Sequence, residues 1–361
     1  MRKNHARLFT PGPTEVRPEI LQAMSTPQIH HRAPECADLY AELQPKLRKF
    51  LYTEQTVFLF TSSSTGAMEA AVQNCVKRKV LNLVNGAFSK RWHQITQACG
   101  IPNEALEVPW DRAIKPEQVD EKLKTGEFDA VTLVLNETST GLMNPLEEIA
   151  EVVHRYPDVM LLVDAVSAMG GVKIEFDRLG LDVLLAGVQK AIALPPGLTI
   201  CAVSDRALAR AEEVKPRTYY FSFPVMLKYH VKNQHPTTPS TAHMYALNAQ
   251  LDYILEEEGL ERRFARHEEM ARMVQAWAKK HFDIYPEEGY WSVTLTCVVN
   301  TRGISVKDLI ERLVNDYNMR IANGYGDLKE KTFRIAHMGD LTPADVAGLL
   351  HAIDEILELN G

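Results

Sequence analysis

The sequence lacks the cysteine pairs that would indicate a disulfide framework or a zinc site. Its five cysteines are scattered over 361 residues, and none forms a Cys-x-x-Cys pair. Small disulfide-bonded domains and structural zinc sites depend on such spacing. His30 and His31 are adjacent, but no second histidine or carboxylate pair follows at ligand spacing, so a structural role is favoured for them. The sequence therefore predicts a protein of a reducing compartment without a metal site.

Long apolar runs are also missing. No stretch approaches the roughly 20 apolar residues that a membrane helix needs. The first residues, MRKNHARLFTPGPT, contain no apolar run of the kind found in signal peptides. We therefore expect a cytoplasmic protein without a membrane partner. Hydrophobic residues nevertheless make up 45% of the chain, which is enough for a large core and, at this length, for two domains.

The chain has no excess of positive charge. It carries 40 lysines and arginines against 47 aspartates and glutamates, for a net charge of −7. Nucleic-acid binders usually present a basic face, so we expect no nucleic-acid partner. Neither a GxxxxGK[ST] loop nor a GxGxxG turn after a first strand is present, which disfavours a nicotinamide-dependent dehydrogenase. The basic residues within 262–267 alternate with glutamates and predict a solvated helix face.

Short apolar strands alternate with helical segments over the first two thirds of the chain. The strands are continuously apolar, which is typical of parallel strands buried on both faces, and they are predicted at 56–60, 80–84, 130–135, 159–163, 183–186 and 198–203. Residues 215–241 are predicted as loop, followed by long helices at 241–259 and 260–280. Strands at 291–299 and 332–336 and helices at 306–317 and 343–358 complete the chain, with Thr342 as an N-cap.

This alternation predicts an α/β fold with a mostly parallel sheet. We place an N-terminal arm at residues 1–17, a large α/β domain at 18–255 and a smaller C-terminal α+β domain at 256–361. The Pro11-Gly12-Pro13 run supports the arm, because it cannot be helical.

Three features of the large domain carry chemistry when they are taken together. The polar turn Ser62–Gly66 follows a strand and precedes a helix, where backbone N–H groups favour a phosphate. Asp164 ends an apolar strand, and Lys190 follows the next strand, where desolvation would lower its pKa and make the amine nucleophilic. Each feature alone has an ordinary explanation, as an N-cap turn, a turn residue and a surface lysine. A lysine with an acid partner and a phosphate turn is what pyridoxal phosphate requires.

At this point the sequence resembles the class V aminotransferases of the type I pyridoxal-phosphate fold, and most closely their serine–pyruvate and alanine–glyoxylate branch. The resemblance runs from Phe9 to near the C-terminus. Its matching stretches are PGPT at 11–14, HR at 31–32, SSTGAME at 63–69, NGAF at 85–88, ETSTG at 137–141, VDA at 163–165, QKA at 189–191, PPG at 195–197, TTP at 237–239 and FRI at 333–335. The family pattern often has Ser, His and Gly where this chain has Val188, Leu135 and Ser64.

The resemblance implies a pyridoxal phosphate cofactor and a role for each matching residue. Lys190 would form the Schiff base and then shuttle the proton, and Asp164 would pair with the pyridine nitrogen. The other implied cofactor contacts are Ser63, Ser64, Thr65 and Gln189 at the phosphate, Phe88 and Val166 on the two faces of the ring, and Thr138 at the ring hydroxyl.

Three further residues receive substrate or interface roles from the resemblance. Arg334 would clamp the substrate α-carboxylate, and Gly12 would line the substrate pocket. Thr237 would reach the phosphate of the neighbouring subunit, which implies a homodimer with shared sites. As an isolated residue, Arg334 is more typical of an ordinary surface salt bridge.

The implied activity is transfer of an amino group from serine, alanine or aspartate to glyoxylate or pyruvate by a ping-pong mechanism. One visible carboxylate clamp fits monocarboxylates best, and the sequence does not locate the second cation that aspartate would need. Two alternatives stay open: another pyridoxal-phosphate reaction, such as that of a lyase or a desulfurase, and a fold relative without catalysis. A desulfurase would need a mobile cysteine before the last strands, and residues 318–331 contain none.

Overall fold

The computed structural model describes residues 5–359, so residues 1–4 of the predicted arm and 360–361 of the predicted C-terminal domain lie outside it. The chain alternates between strands and helices. The strands are β1 Arg7–Leu8, β2 Thr56–Phe60, β3 Val80–Val84, β4 Asn103–Glu107, β5 Ala130–Val134, β6 Asn136–Glu137, β7 Leu142–Met143, β8 Met160–Asp164, β9 Val183–Gly187, β10 Thr199–Val203, β11 Asp283–Ile284, β12 Leu295–Val299, β13 Met319–Arg320, β14 Ala322–Asn323 and β15 Thr332–Ala336.

The α-helices range from 7 to 22 residues. They are α1 Pro18–Met24, α2 Pro34–Leu51, α3 Ser64–Cys75, α4 Ala87–Ala98, α5 Pro116–Leu123, α6 Leu146–Val153, α7 Asp205–Glu213, α8 Phe223–His230, α9 Thr241–Asp252, α10 Leu260–His281, α11 Val306–Tyr317 and α12 Pro343–Leu357.

A seven-stranded sheet forms the centre of the fold, in the order β2-β10-β9-β8-β5-β3-β4. Its strands pair in parallel except β10, which is antiparallel to both of its neighbours. The α/β fold with a mostly parallel sheet is therefore confirmed, with β10 as the antiparallel strand. Since β2 is antiparallel to β10, it runs in the same direction as β9. The carboxyl ends of β2, β9, β8, β5 and β3 consequently meet at one edge.

The apolar strands are buried because both faces of the sheet are covered. Successive side chains of a strand point to opposite faces, so Val57 and Leu59 enter one hydrophobic cluster while Phe58 and Phe60 enter another. Helix α2 covers the first face with one apolar stripe that includes Leu43 and Leu47.

A second, four-stranded sheet in the order β11-β12-β15-β14 lies towards the C-terminus, with its own hydrophobic cluster. Helices α10, α11 and α12 contribute to this cluster, and Phe9 of the N-terminal segment is buried in it. Thr342 caps α12 as predicted, since its side chain accepts a hydrogen bond from the Asp345 N–H. The boundary near residue 255 stays a proposal. It falls within the π-helical turn Tyr253–Glu258, which continues α9.

Several predicted segments differ from the structure. The predicted loop 215–241 contains α8, which begins after Ser222 because that side chain accepts from the Val225 N–H. Strand β4 and helices α5 and α7 were not predicted; β4 is partly exposed along its length, and an apolar-run criterion does not detect such a strand. Helix α3 begins at Ser64, within the polar turn that was predicted to precede it.

The basic cluster at 262–267 is not the solvated helix face that its alternation with glutamates predicts. Arg263 and His267 are fully buried. Arg263 pairs with Glu258 at 2.6 Å and with Asp340 at 3.0 Å, so its charge is compensated inside the protein. Within residues 5–359, no helix combines the length and apolar character needed to cross a membrane.

Candidate active site

Lys190 lies at the carboxyl edge of the central sheet, three residues after β9. Its side chain is 8% exposed, and its Nζ donates to the carbonyl of Pro11 in the N-terminal segment. Burial and, second to it, the nearby Arg334 guanidinium lower the pKa of Lys190 to about 8. A larger fraction of this amine is therefore neutral at physiological pH than in an ordinary lysine, which favours a nucleophilic role.

Asp164 ends β8, the strand next to β9, and faces the same edge. It is 3% exposed, and one oxygen accepts from the Val166 N–H at 2.7 Å. Burial raises the pKa of Asp164 to about 7, while that hydrogen bond opposes the shift. A cationic ring N–H beside this carboxylate would stabilise its charged form.

The polar turn after β2 lies at the first turn of α3. Ser63 occupies the N-cap position without a capping hydrogen bond from its side chain. The hydroxyl oxygens of Ser62 and Ser64 are buried and have no hydrogen-bond partner among the described residues. Unpaired buried hydroxyls are costly, so a ligand with several acceptor oxygens would satisfy them. Ser64 does not adopt a positive φ, so the family's frequent glycine is not needed there.

Gln189 and Ser64 converge above Gly187. A Cβ atom at Gly187 would lie 2.5 Å from both the Gln189 Oε1 and the Ser64 Oγ. Glycine at this position leaves space for the two polar side chains to approach one another over the strand end. Together with the N-terminus of α3, they form a compact anion-binding cradle.

A cavity of about 440 Å³ connects these groups. All the residues predicted to contact the cofactor, apart from Thr237, line it. Its lining consists of Gly12, Pro13, Ser63, Ser64, Thr65, Met68, Phe88, Arg91, Val134, Asn136, Thr138, Asp164, Val166, Gln189, Lys190, Pro196 and Tyr325. Thr138 is buried at the wall, where its Oγ1 lies 2.5 Å from the Ser167 Oγ.

Phe88 owes its position to Glu137, which the sequence interpretation quoted in a motif without giving it a role. Glu137 is fully buried and accepts from the backbone N–H groups of Phe88 and Ser89 at the start of α4. A carboxylate at a helix N-terminus is stabilised by the helix dipole. Gly86 allows this contact, since a Cβ there would lie 2.2 Å from the Glu137 Cγ. The ETSTG motif therefore holds the helix that presents Phe88.

Arg334 faces the same region from β15, in the second sheet. It donates to the carbonyls of Thr138 and Asn323, each at 3.1 Å, and has no acidic partner within residues 5–359. A surface salt bridge, the ordinary alternative for this residue, is therefore not formed there. A second cavity of about 460 Å³ in front of Arg334 is also lined by Gly12 and Lys190, so the predicted substrate residues come together.

Gly12 lies directly against Lys190 with a φ of +93°. A Cβ at this position would lie 2.5 Å from the Lys190 Cδ. Only glycine combines this backbone conformation with such close approach. Thr237, by contrast, does not line the described cavity of its own chain.

Several lining residues received no role from the sequence, among them Arg91 and Tyr325. Arg91 lies one helical turn after Phe88, so the helical period could have indicated that it faces the same cavity. Tyr325 lies between β14 and β15, and no periodic signal marks it.

The residues present fit pyridoxal phosphate. Unpaired hydroxyls and a helix N-terminus would hold its phosphate, Asp164 its ring nitrogen, and the Lys190 amine its aldehyde carbon. Phe88 and Val166 provide apolar surface for the ring between them.

Comparison with known proteins agrees with this arrangement. A family model described as Aminotransferase class-V matches residues 8–325. An uncharacterized aminotransferase of Methanocaldococcus jannaschii is 39% identical over 357 residues, covering 97% of this chain and 92% of its own. The L-aspartate–glyoxylate aminotransferase of Paracoccus denitrificans is 33% identical, covering 93% of this chain and 87% of its own. The crystal structure of an alanine–glyoxylate aminotransferase from Nostoc matches with a TM-score of 0.93 at 29% identity, covering 99% and 96% of the two chains.

Proposed function

Because this chain belongs to the class V aminotransferases, whose cofactor is pyridoxal phosphate, we propose that it moves an amino group from a small amino acid to a small 2-keto acid. The donor would be serine, alanine or aspartate, and the acceptor glyoxylate or pyruvate. The proposal rests on one observation: Lys190, Asp164 and the polar turn Ser62–Gly66, called the serine turn below, lie around one cavity. The reaction would be ping-pong, since one amine-accepting site serves donor and acceptor in turn.

Pyridoxal phosphate, when bound, supplies an electron sink that acidifies the Cα–H bond of an attached amino acid. Lys190 Nζ would take the proton from the substrate Cα and deliver it to the cofactor, and in the second half of the cycle it would carry a proton in the opposite direction to the Cα of the new amino acid. Its lowered pKa of about 8 supports this role, because a neutral amine is needed to accept the proton.

The other side chains would orient the reactants. Asp164 would hold a proton at the pyridine nitrogen, with Phe88 and Val166 on the two ring faces and Thr138 beside the ring hydroxyl. Burial of Asp164 supports the first role, since a buried carboxylate gains most from a cationic partner.

Arg334 would bind the substrate α-carboxylate. A guanidinium has five N–H donors. Among the described residues, Arg334 donates three hydrogen bonds, all to backbone carbonyls, so donors remain for a ligand. Gly12 would shape the substrate side of the cavity while its neighbour Pro11 accepts from Lys190.

Cysteine desulfuration is the weaker alternative on this fold. That reaction needs a thiol that reaches the substrate, and Cys297 is fully buried in β12. Burial also raises the pKa of the Cys297 thiol to about 11, which disfavours the thiolate.

We also propose a homodimer with shared sites. Thr237 would reach the phosphate bound by the partner, because it does not line the described cavity of its own chain. Tyr219 and Val231 lie in the segment that precedes Thr237. Their side chains are 65% and 69% exposed, and we propose that the dimer covers them.

The proposal is tested by visible absorption of the purified holoenzyme during addition of serine, alanine or aspartate. We expect at least one donor to remove the band of the lysine-bound cofactor, and a keto acid to restore it. Lys190→Ala should lose this band and lower the transamination rate at least about 100-fold, since proton transfer by a positioned side chain contributes that much. Full activity in the Lys190→Ala variant would overturn the assignment of Lys190. A band in the wild-type protein that no donor changes would point to a lyase.

A further inference from the structure

The side of the cavity that faces away from the serine turn is rich in arginine and poor in acid. Arg91 lines the main cavity, and Arg320 and Arg334 line the second cavity in front of it. Among the described residues lining either cavity, Asp164 is the only carboxylate. The buried Glu137, whose charge acts on Lys190 and Arg334, already accepts hydrogen bonds at the start of α4. The lining of this side therefore carries more positive than negative charge.

Arg91 is the cation whose role the proposed function leaves open. It lies on α4 with its guanidinium carbon 4.8 Å from the centre of the Phe88 ring. Its Nη2 donates to the Tyr325 hydroxyl at 3.2 Å, and it makes no ion pair with any carboxylate within residues 5–359. A half-buried arginine usually has an acidic partner, so this guanidinium is available to an anionic ligand.

Tyr325 separates Arg91 from Arg334. Its ring centre lies 5.5 Å from the Arg334 guanidinium carbon, while its hydroxyl accepts from Arg91. The Tyr325 ring centre also lies 5.5 Å from that of Phe88, and Tyr325 lines both cavities. The two guanidinium groups thus contact different parts of one tyrosine side chain. Each is close enough to the Lys190 amine to lower its pKa.

We infer that Arg91, with the Tyr325 hydroxyl, binds a second carboxylate of the substrate, so that the preferred donor is an acidic amino acid such as aspartate. The inference rests on the proposed function, because it needs Arg334 to hold the α-carboxylate. A site that leaves a charged donor unpaired discriminates against ligands that lack the matching group. Alanine and serine would leave Arg91 without its partner and react more slowly.

The test compares kcat/KM for aspartate, glutamate, alanine and serine in the holoenzyme with those of the Arg91→Gln variant. In the wild type we expect an acidic donor to have the highest value. Arg91→Gln should lower the ratio of aspartate to alanine values about 10- to 100-fold, the usual effect of a hydrogen bond to a charged group. Arg91→Lys should recover part of the ratio, because the charge is kept. Tyr325→Phe should lower it less than Arg91→Gln does.

Lys90→Gln is the matched control. It removes a positive charge from the neighbouring, exposed position of the same helix, and it should leave the ratio unchanged. A direct binding readout is inhibition by succinate compared with propionate: wild type should bind succinate more tightly, and Arg91→Gln should lose that difference.

The outcomes separate this inference from the function on which it rests. If alanine or serine is the best donor of the wild type, the acidic-donor assignment fails while the aminotransferase stands. An equal loss for aspartate and alanine in Arg91→Gln would overturn the role of Arg91 as a specificity residue. If no donor reacts with the wild type, the proposed function itself fails.

Discussion

At the scale of single residues, the same physical cause acts on Lys190 and Asp164 in opposite senses. Burial disfavours the charged form of each, which lowers the pKa of the amine to about 8 and raises the pKa of the carboxyl to about 7. Both shifts bring a group into the range where it exchanges a proton near neutral pH. Two such groups beside one cavity are typical of active sites, and they cost stability in the absence of a ligand.

Replacement of Asp164 by asparagine should separate the stability that the buried carboxylate costs from its contribution to the reaction. The folded-state pKa of Asp164 lies above its unfolded value, so the cofactor-free protein loses stability as the pH rises from about 4 to about 7. Cofactor-free Asp164→Asn should therefore be more stable than the cofactor-free wild type at pH 8. Three pKa units set an upper bound of about 4 kcal/mol on the gain.

Urea unfolding at pH 8 and pH 4 measures this difference, which should shrink at the lower pH. The same variant should lose at least about 100-fold in transamination with the cofactor present, because the ring nitrogen loses its charged partner. If Asp164→Asn is less stable than the wild type at pH 8, then the buried Asp164 carboxylate does not destabilise the cofactor-free protein.

At the scale of elements, the N-terminal segment and the strand ends build the site together. The carbonyl of Pro11 accepts from Lys190, and Thr14 Oγ1 donates to the Lys190 carbonyl at 2.9 Å. Strand β1 pairs in parallel with β13, so the segment is also fixed to the C-terminal part of the chain. Within the predicted arm, residues 10–13 therefore form part of the cavity wall.

Gly12→Ala tests this wall. The added methyl group would meet Lys190 at 2.5 Å and would also strain a φ of +93°. We expect a loss of activity of about 100-fold or more, since a misplacement of about 1 Å can cost that much. Gly289→Ala is the control, because its φ is +88° and no atom lies within 4 Å of the added carbon.

Both glycine variants should lose about 1 kcal/mol of stability from the backbone conformation alone. Steady-state rates and thermal melting of the two variants, measured side by side, check the prediction. If Gly12→Ala keeps the activity of Gly289→Ala, then the contact with Lys190 does not matter for the reaction.

At the scale of the whole molecule, a buried ionic cluster connects the central sheet with the C-terminal part. Arg263 of α10 donates to the carbonyls of Gly170 and Ala191 and pairs with Glu258 and Asp340. Ala191 is the residue after Lys190, so the cluster also anchors the segment that carries the amine.

Arg263→Ala should lower the free energy of unfolding by about 3–5 kcal/mol, because it removes the buried guanidinium that Glu258 and Asp340 share and leaves Glu258 only Arg266 and Asp340 only Arg17 as cationic partners. Arg262→Ala, at an exposed position of the same helix, should change it by less than about 0.5 kcal/mol. Urea unfolding of the two variants gives the comparison. A similar small change in both would show that Arg263 is not needed to compensate Asp340 and Glu258.

Mixed subunits test the proposed sharing of sites. If Thr237 acts across the interface, a dimer of a Lys190→Ala chain and a Thr237→Asp chain contains one site with both defects and one intact site. Mixing the two inactive variants should then restore up to about half of the activity per mixed dimer, since one of two symmetric sites is intact. If Thr237 acts within its own chain, each site keeps one defect, and mixing restores nothing.

The sequence by itself determined the class of fold and predicted most of the residues that meet around one cavity. Continuous apolar strands, strand-end polar residues and the order of motifs are local or nearly local signals, and they located Lys190, Asp164 and the serine turn correctly at one sheet edge. The direction of β10 was not determined, because an apolar strand buried on both faces has the same composition in either orientation. Helix α8 was also missed, since its segment resembles loop in composition.

Only the tertiary structure decided which distant groups meet. Arg91 and Tyr325 are 234 residues apart, and Arg263 and Asp340 are 77 apart. Nothing local to either residue encodes such a contact, because the fold of the intervening chain brings them together. The burial of Arg263 was predicted wrongly for the same reason: charge alternation describes a helix surface, while the packing of that helix against the rest of the molecule decides whether the surface meets water.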